Sequence, residues 1–386
     1  MSERKTILIF IGHYLPGTKS GGILRSVENM INLLGKNYKF KIITRNKDIN
    51  SSKSYENISS GEWNKVGNAE VLYMNDDDSN FNNLVKIINN IKHDFFFINS
   101  FFDKLSIKII FGSRIGRLDS VKNIIISPRG EFAWASFKLR LFRKIFYVIF
   151  SRIFGFYSKL IWHVSSEYEM RDLVRIMNIK KDNIKIAMDL PKIDLEREFL
   201  NENENFSEKK LKIIFLSRIS EEKNLDIAIR MLSRVKSDIV FDIFGDVDSK
   251  SYWRRCQDLL NKLPNNIEYN YYGFVKNEEV LNIFSKYDLF LFPTGGENYG
   301  HVIAESISVG TKVLISKNTP WLELENDNIG WDLSLDNEDN FINTIENEAR
   351  TSLTERIKHR KIARQMFSKR FKNSNSLSDN INLFSN

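Results

Sequence analysis

The chain has 386 residues, 42% of them hydrophobic and 27% charged, which excludes a wholly disordered polymer and suits two hydrophobic cores better than one. A formal net charge of +8 points to anionic partners of some kind, and the single cysteine, Cys256, excludes an internal disulfide and a cysteine-built zinc or iron–sulfur centre. No apolar run reaches the ~20 residues of a membrane-spanning helix, because residues 137–156 are interrupted by Arg140, Arg143, Lys144 and Arg152. A protein of the cytosol, or one lying on a membrane, is expected.

In chain order, Ile-, Val- and Phe-rich runs at residues 6–11, 40–44, 94–99, 123–127 and 160–164 read as buried strands, each followed by helix-length sequence. The first half is therefore predicted to be a doubly wound α/β domain. Its first strand leads into HYLPGTKSGG, where Gly21 and Gly22 precede a helical spacing of Ile23, Val27, Met30, Ile31 and Leu34. Glycines there let a ligand approach the backbone, and a helix N-terminus favours an anion. A plain turn fits the same pair, and the missing G-x-G-x-x-G spacing argues against a dehydrogenase. Residues 137–160 carry Lys138, Arg140, Arg143, Lys144, Arg152 and Lys159 among many aromatics, with no acidic residue. Two readings stay open for this segment: helices with a core face and solvated charges, or a surface that lies on anionic lipid.

Residues 194–210 are polar, rich in Asn and Glu, and read as a linker. A second strand series follows at residues 211–216, 239–244, 267–271, 289–292 and 312–316. The expected organisation is a first domain over 1–195, a linker over 196–210, a second domain over 211–370, and a polar tail over 371–386, either disordered or packed back on the first domain.

Ligands of open α/β sheets bind at the carboxyl ends of the strands. After IIFLS come Arg218 and, five residues on, Lys223. Such a pair can clamp a diphosphate, although with 57 Lys and Arg in the chain it reads as surface when taken alone. The segment FPTGGENYGHVIAESISVG is more specific. Glu297 sits in a glycine-rich loop, and Glu305 falls eight residues later in a helix expected between Gly300 and Gly310. The amides of Asn298, Tyr299, Gly300 and His301 would face an anion at the helix start, and a carboxylate one turn in can accept hydrogen bonds from two ribose hydroxyls. Two solvated glutamates are the blander reading, weakened by Gly295, Gly296 and Gly300 around them. Asp76 to Asp78 read as a solvated turn and Asp246 with Asp248 as a strand-to-helix loop, so no metal site is expected.

The E-x7-E segment ENYGHVIAE, preceded by LSRISEEKNLDIAI and followed by TKVLISKNTPWLELENDNIGW, resembles the retaining family-4 glycosyltransferases, also called glycosyl transferases group 1. The likeness covers most of the second domain and reaches the first through the Gly-Gly loop, SPRGEF and HVSSEYE. It implies a GT-B fold, two Rossmann-like doubly wound domains facing across a cleft, and transfer from a nucleotide-diphosphate sugar with retention of configuration. It makes Glu297, Arg218 and Lys223 the candidate catalytic residues, with Arg218 and Lys223 on the diphosphate and Glu297 on the sugar hydroxyls. Glu305 would hold the ribose, and Gly22 would offer an amide from the first domain. The implied partners are that donor, a substrate and no cofactor, and a glycan or lipid-linked acceptor of surface polysaccharide.

Many relatives carry a histidine where this chain has Ser127 to Glu131. Arg129, Glu131 and His13 become candidates for the donor or acceptor side, and the catalytic base stays unassigned; His163 is a further candidate, though a lone histidine is more often structural. The alternatives are a GT-B epimerase and a non-enzymatic basic binding module; scattered charge and the lack of a recognised motif argue against nucleic acid. The expected placement is cytoplasmic, on the inner face of the membrane if residues 137–160 meet lipid.

Overall fold

A computed structural model describes residues 4–118, 121, 123–138, 140–192 and 210–385. The chain divides into two compact units, Met1–Leu190 with Asn375–Asn386, and Pro191–Ser374. The stretch expected to be a linker lies, apart from Lys210, outside the described residues.

Among the described residues, the first unit is built on an eight-stranded sheet. Its strands are β1 (Thr6–Phe10), β2 (Lys39–Arg45), β3 (Trp63–Val66), β4 (Ala69–Met74), β5 (Phe95–Asn99), β6 (Ile124–Ser127), β7 (Ile161–Val164) and β8 (Ile184–Ile186). They lie in the order β3-β4-β2-β1-β5-β6-β7-β8, parallel except where β3 runs against β4. The central sequences TILIF, FFFIN and IIIS are nearly all apolar because both sheet faces are covered. The helices are α1 (Gly21–Leu34), α2 (Phe81–Asn89), α3 (Lys104–Arg114), α4 (Trp134–Phe137), α5 (Leu141–Ile153) and α6 (Glu167–Met177). Asp103 caps α3 by accepting from Leu105 N, and Ser166 caps α6 by accepting from Glu169 N, each satisfying an amide the helix cannot.

Among the described residues, the second unit has a six-stranded, all-parallel sheet: β9 (Leu211–Leu216), β10 (Ile239–Phe244), β11 (Ile267–Gly273), β12 (Leu289–Phe292), β13 (Lys312–Ser316) and β14 (Gly330–Leu333), ordered β11-β10-β9-β12-β13-β14. Its helices are α7 (Leu225–Leu232), α8 (Lys250–Leu260), α9 (Val280–Phe284), α10 (His301–Ser308), α11 (Glu338–Arg350) and α12 (Leu353–Asn373). A reciprocal Ser352–Glu355 capping box starts α12. Two buried arginines then tie this helix down: Arg356 pairs with Asp288 at 3.0 Å, and Arg360 donates to the carbonyls of Tyr287 and Ser285. Gly245, just after β10, has φ +136°, and a Cβ there would stand 1.7 Å from the Ser217 carbonyl oxygen. Only glycine allows the loops after β9 and β10 to run this close.

The last helix, α13 (Ser376–Leu383), belongs to the first unit. Phe384 is fully buried among the rings of Tyr38, Phe95 and Phe97. Tyr38 Oη donates to the Ile381 carbonyl, Asn380 Nδ2 to that of Met188, and Lys185 Nζ to that of Asn382. Phe384→Ala should leave a cavity that costs the first unit about 3–5 kcal/mol. Urea unfolding followed by circular dichroism checks this, and an unshifted transition would mean that the site is already loose.

Candidate active site

In the second sheet the strand order reverses between β9 and β12, which makes their carboxyl ends the topological switch point where open α/β sheets take ligands. The loop after β9 carries Arg218 and Lys223, and the loop after β12 carries Gly295 to Gly300. These two loops are joined directly. Gly295 N donates to the Glu222 carbonyl at 2.7 Å, and Asn224 Nδ2 donates to that of Pro293 at 2.8 Å. Lys223 Nζ then lies 2.8 Å from Glu297 Oε1 and 3.4 Å from the Gly296 carbonyl. Lys223 is only 9% exposed, so its charge is held in a defined place and not spread through solvent.

The loop after β13 closes the floor. The Asn318 carbonyl accepts from Glu297 N, and Ser316 Oγ donates to the Thr294 carbonyl. Trp321 Nε1 donates to the Tyr299 carbonyl, and the Tyr299 ring packs on Trp321 and His301. Gly300 has φ +83° at the start of α10, a left-handed conformation in which a Cβ would strike Ile303. The N-cap residue, Gly300, has no side chain to cap the helix, and the first amides carry the partial positive charge of a helix N-terminus. Glu305 lies on α10 and is buried, as is His301. Arg218 is exposed and stands 3.4 Å from Asp248. The structure thus brings Lys223, Glu297 and the start of α10 together, with Arg218 five residues before Lys223 on the same loop.

Asn318, Thr294 and Trp321 support this site and were not singled out by the sequence reading. The quoted run TKVLISKNTPW contained two of them, but nothing in it showed that their carbonyl and indole groups would meet the Glu297 loop.

The first-unit candidates have other surroundings. Arg129, with φ +54°, pairs with Asp189 at 2.5 Å and donates to Asn99 Oδ1 at 2.9 Å, in a nearly dry setting. Glu131 accepts from Ser100 Oγ, Phe101 N and Phe102 N, and burial pushes its pKa up. Both side chains hold scaffold together. Gly21 and Gly22 are exposed at the start of α1, a helix fastened by Ser26 Oγ to Asp189 at 2.8 Å. His13 Nδ1 lies 2.8 Å from the Lys47 carbonyl.

His163 is fully buried between Ser127 Oγ, at 3.0 Å from Nδ1, and the Ala187 carbonyl, at 2.9 Å from Nε2. A carbonyl only accepts, so the proton is on Nε2 and Nδ1 accepts from Ser127. Burial, reinforced by the Arg129 charge, pushes its pKa down to about 4.

Residues 196–364 match the family model described as Glycosyl transferases group 1. A protein of Klebsiella pneumoniae, named "Uncharacterized 41.2 kDa protein in cps region", is 25% identical over 237 residues; the match spans 60% of this chain and 62% of that relative's length, under two thirds of it. Among solved structures, Anabaena Alr3699/HepE in complex with UDP and glucose is similar with a TM-score of 0.71, 13% identity and 98% of both chains covered. WaaG, a glycosyltransferase involved in lipopolysaccharide biosynthesis, gives 0.64 at 12% identity, again over 98% of each. A glycosyltransferase from Rickettsia africae gives 0.66 at 14%, over 99% of this chain and 98% of that one. The chain therefore has the GT-B fold, and its second unit is similar to the glycosyl transferases group 1 family.

His163 yields a prediction about acid. Between its usual pKa of 6.5 and its folded value of about 4, the unfolded chain takes up a proton that the folded chain refuses. This contribution to stability is intact above pH 6.5, is lost as pH falls through that window, and reaches roughly 3 kcal/mol. Urea unfolding at pH 7 and pH 5 should show His163→Gln less sensitive to acid than the parent; equal sensitivity would mean that His163 titrates normally.

Proposed function

We propose that this chain, built around its glycosyltransferase domain, moves a sugar from a nucleotide-diphosphate sugar to a glycan or lipid-linked acceptor of bacterial surface polysaccharide. The transfer retains anomeric configuration and needs no metal ion. The observation that carries this reading is the Lys223–Glu297 pair at 2.8 Å, set at the switch point beside the start of α10. The solved relative in complex with UDP and glucose and the relative from a cps region support the donor and acceptor classes.

In this mechanism the diphosphate draws Lys223 Nζ away from Glu297, and Arg218 approaches from the same loop. The two cations take up the negative charge that builds as the bond from the sugar to phosphate breaks, an effect worth several kcal/mol. The freed Glu297 carboxylate accepts from sugar hydroxyls, and Glu305 accepts from the ribose. The incoming acceptor oxygen bonds to the anomeric carbon on the face the phosphate leaves, and a departing phosphate oxygen takes its proton. The protein works in the cytoplasm, on the inner face of the membrane, where a lipid-linked acceptor is available.

A thermal-shift screen of nucleotide-diphosphate sugars should find the donor, since a bound donor stabilises the folded chain by mass action. With that donor, Lys223→Ala and Arg218→Ala should each lower turnover about tenfold or more. Glu297→Ala should lower turnover mainly, Glu305→Ala should weaken nucleotide binding, and activity should survive EDTA. Wild-type rates in both glutamate variants would remove the site assignment. Magnesium-restorable loss in chelator would remove the metal-free reading, and an inverted anomer in the product's NMR spectrum would remove retention.

A further inference from the structure

Helix α5 lies against the first unit through Tyr147, Val148 and Ser151, with Tyr147 Oη 2.6 Å from Tyr157 Oη. Its opposite side is also apolar. Phe142, Ile145, Phe146, Ile149, Phe150 and Ile153 are all exposed, Phe142 by 88%, Phe146 by 74% and Ile153 by 73%. Their spacing of three and four residues makes one continuous stripe at about 100° per residue. On the same turn angle the exposed Arg143 and Arg152 fall on its two borders. The rings continue past the helix: Phe146 stacks on Phe150, Phe150 packs on Phe154 and Phe156, and Phe156 meets the half-exposed Phe111 of α3. Beside the end of α5 lies an open depression of about 660 Å³ with Ile149, Ile153, Tyr157 and Met177 in its wall and Arg152 and Lys180 also lining it.

Exposing a row of Phe and Ile to water opposes folding by the ordinary hydrophobic effect, and a contiguous patch of this kind marks an interaction surface. The charges around it select the occupant. From Phe132 to Ser166 the sequence has no Asp or Glu, nor from Lys104 to Leu118, and Lys138, Arg140, Arg143, Arg152, Lys159, Arg114 and Arg117 are exposed in these stretches. A second copy of this chain would bring the same cations and a net charge of +8 against them. An anionic bilayer supplies an apolar interior for the rings and phosphates for the border. Among the described residues no helix is long and apolar enough to cross a membrane, so this geometry is that of a surface helix.

We propose that the outward face of α5 docks on an anionic lipid bilayer, with Phe142, Phe146 and Ile153 entering the headgroup boundary and Arg143 and Arg152 on lipid phosphates. This deepens the membrane placement given under Proposed function and rests on it for its purpose, while the docking itself requires no sugar transfer.

The test is sedimentation of the full chain with phosphatidylcholine vesicles and with mixed phosphatidylcholine–phosphatidylglycerol vesicles at low salt. The parent should sediment with the mixed vesicles and not with the neutral ones. Phe142→Ser with Phe146→Ser and Ile153→Ser should weaken that partition about tenfold or more, and Arg143→Glu with Arg152→Glu should do the same. Stabilisation of each variant by UDP-sugar should match the parent's, which separates loss of docking from loss of the donor site. Equal behaviour toward both vesicle types, or unchanged sedimentation of the triple serine variant, overturns the proposal. So does a parent dimer that the serine variant abolishes, since the face would then belong to a second copy. Donor stabilisation absent from parent and variants alike, with vesicle binding intact, would count against the proposed function and not against this surface.

Discussion

A parallel sheet sends every strand's carboxyl end to the same edge, and the second unit depends on that constraint. Where the order reverses between β9 and β12, the two loops leave in different directions and their backbone groups lack sheet partners. The unit answers with direct bonds between the loops, from Gly295 N to the Glu222 carbonyl and from Asn224 Nδ2 to that of Pro293. Those bonds fix how close Lys223 comes to Glu297. A cation and a carboxylate at 2.8 Å on a floor of peptide groups are then a result of strand order as much as of the two residues. The rigid part is β9 and β12, almost entirely buried; the Lys223–Glu297 pair sits on loops that this scaffold positions.

The first unit has the same kind of reversal between β1 and β5 and fills its neighbourhood differently. Arg45 forms a two-pronged bond to Asp103, the residue that caps α3. Farther along the sheet edge, Arg129, Asp189, Ser26, His163, Ser127 and Glu169 form buried polar contacts that join β6, β7, α1 and α6. Such a network is stable only when each member is satisfied, because a buried charge that loses its partner is costly.

Strand positions were largely legible in the sequence because the inner strands of both sheets are covered on both faces. An uninterrupted run such as FFFIN or LFLF has no other stable placement in a chain of this composition. The strands that escaped were β3, β4, β8 and β14: β3 is partly exposed and alternates, β8 has three residues, and β14 opens on a glycine. In the site, glycine spacing drew attention to Glu297 and Glu305, but the proximity of Lys223 to Glu297 crosses 74 positions and was available only as a family likeness. Arg129 and Glu131 show the opposite limit. Their residue types suit ligand binding, and no local pattern revealed that Asp189 and the amides of Phe101 and Phe102 would be their partners. The composition of α5 was equally plain, but which of its apolar residues face water depended on how the helix is rotated against its neighbours.

The burial of Phe384 bears on the order in which the protein can assemble on the ribosome. Residues on either side of the second unit share one core, so the first unit cannot close its hydrophobic interior before Asn375–Asn386 have been added to Met1–Leu190. The second unit lies wholly within the intervening stretch and is complete in the emerging chain before Phe384 is added. During synthesis the first unit therefore waits with the pocket beside Tyr38, Phe95 and Phe97 open to water, and its sheet is sealed only after the whole second unit has been made.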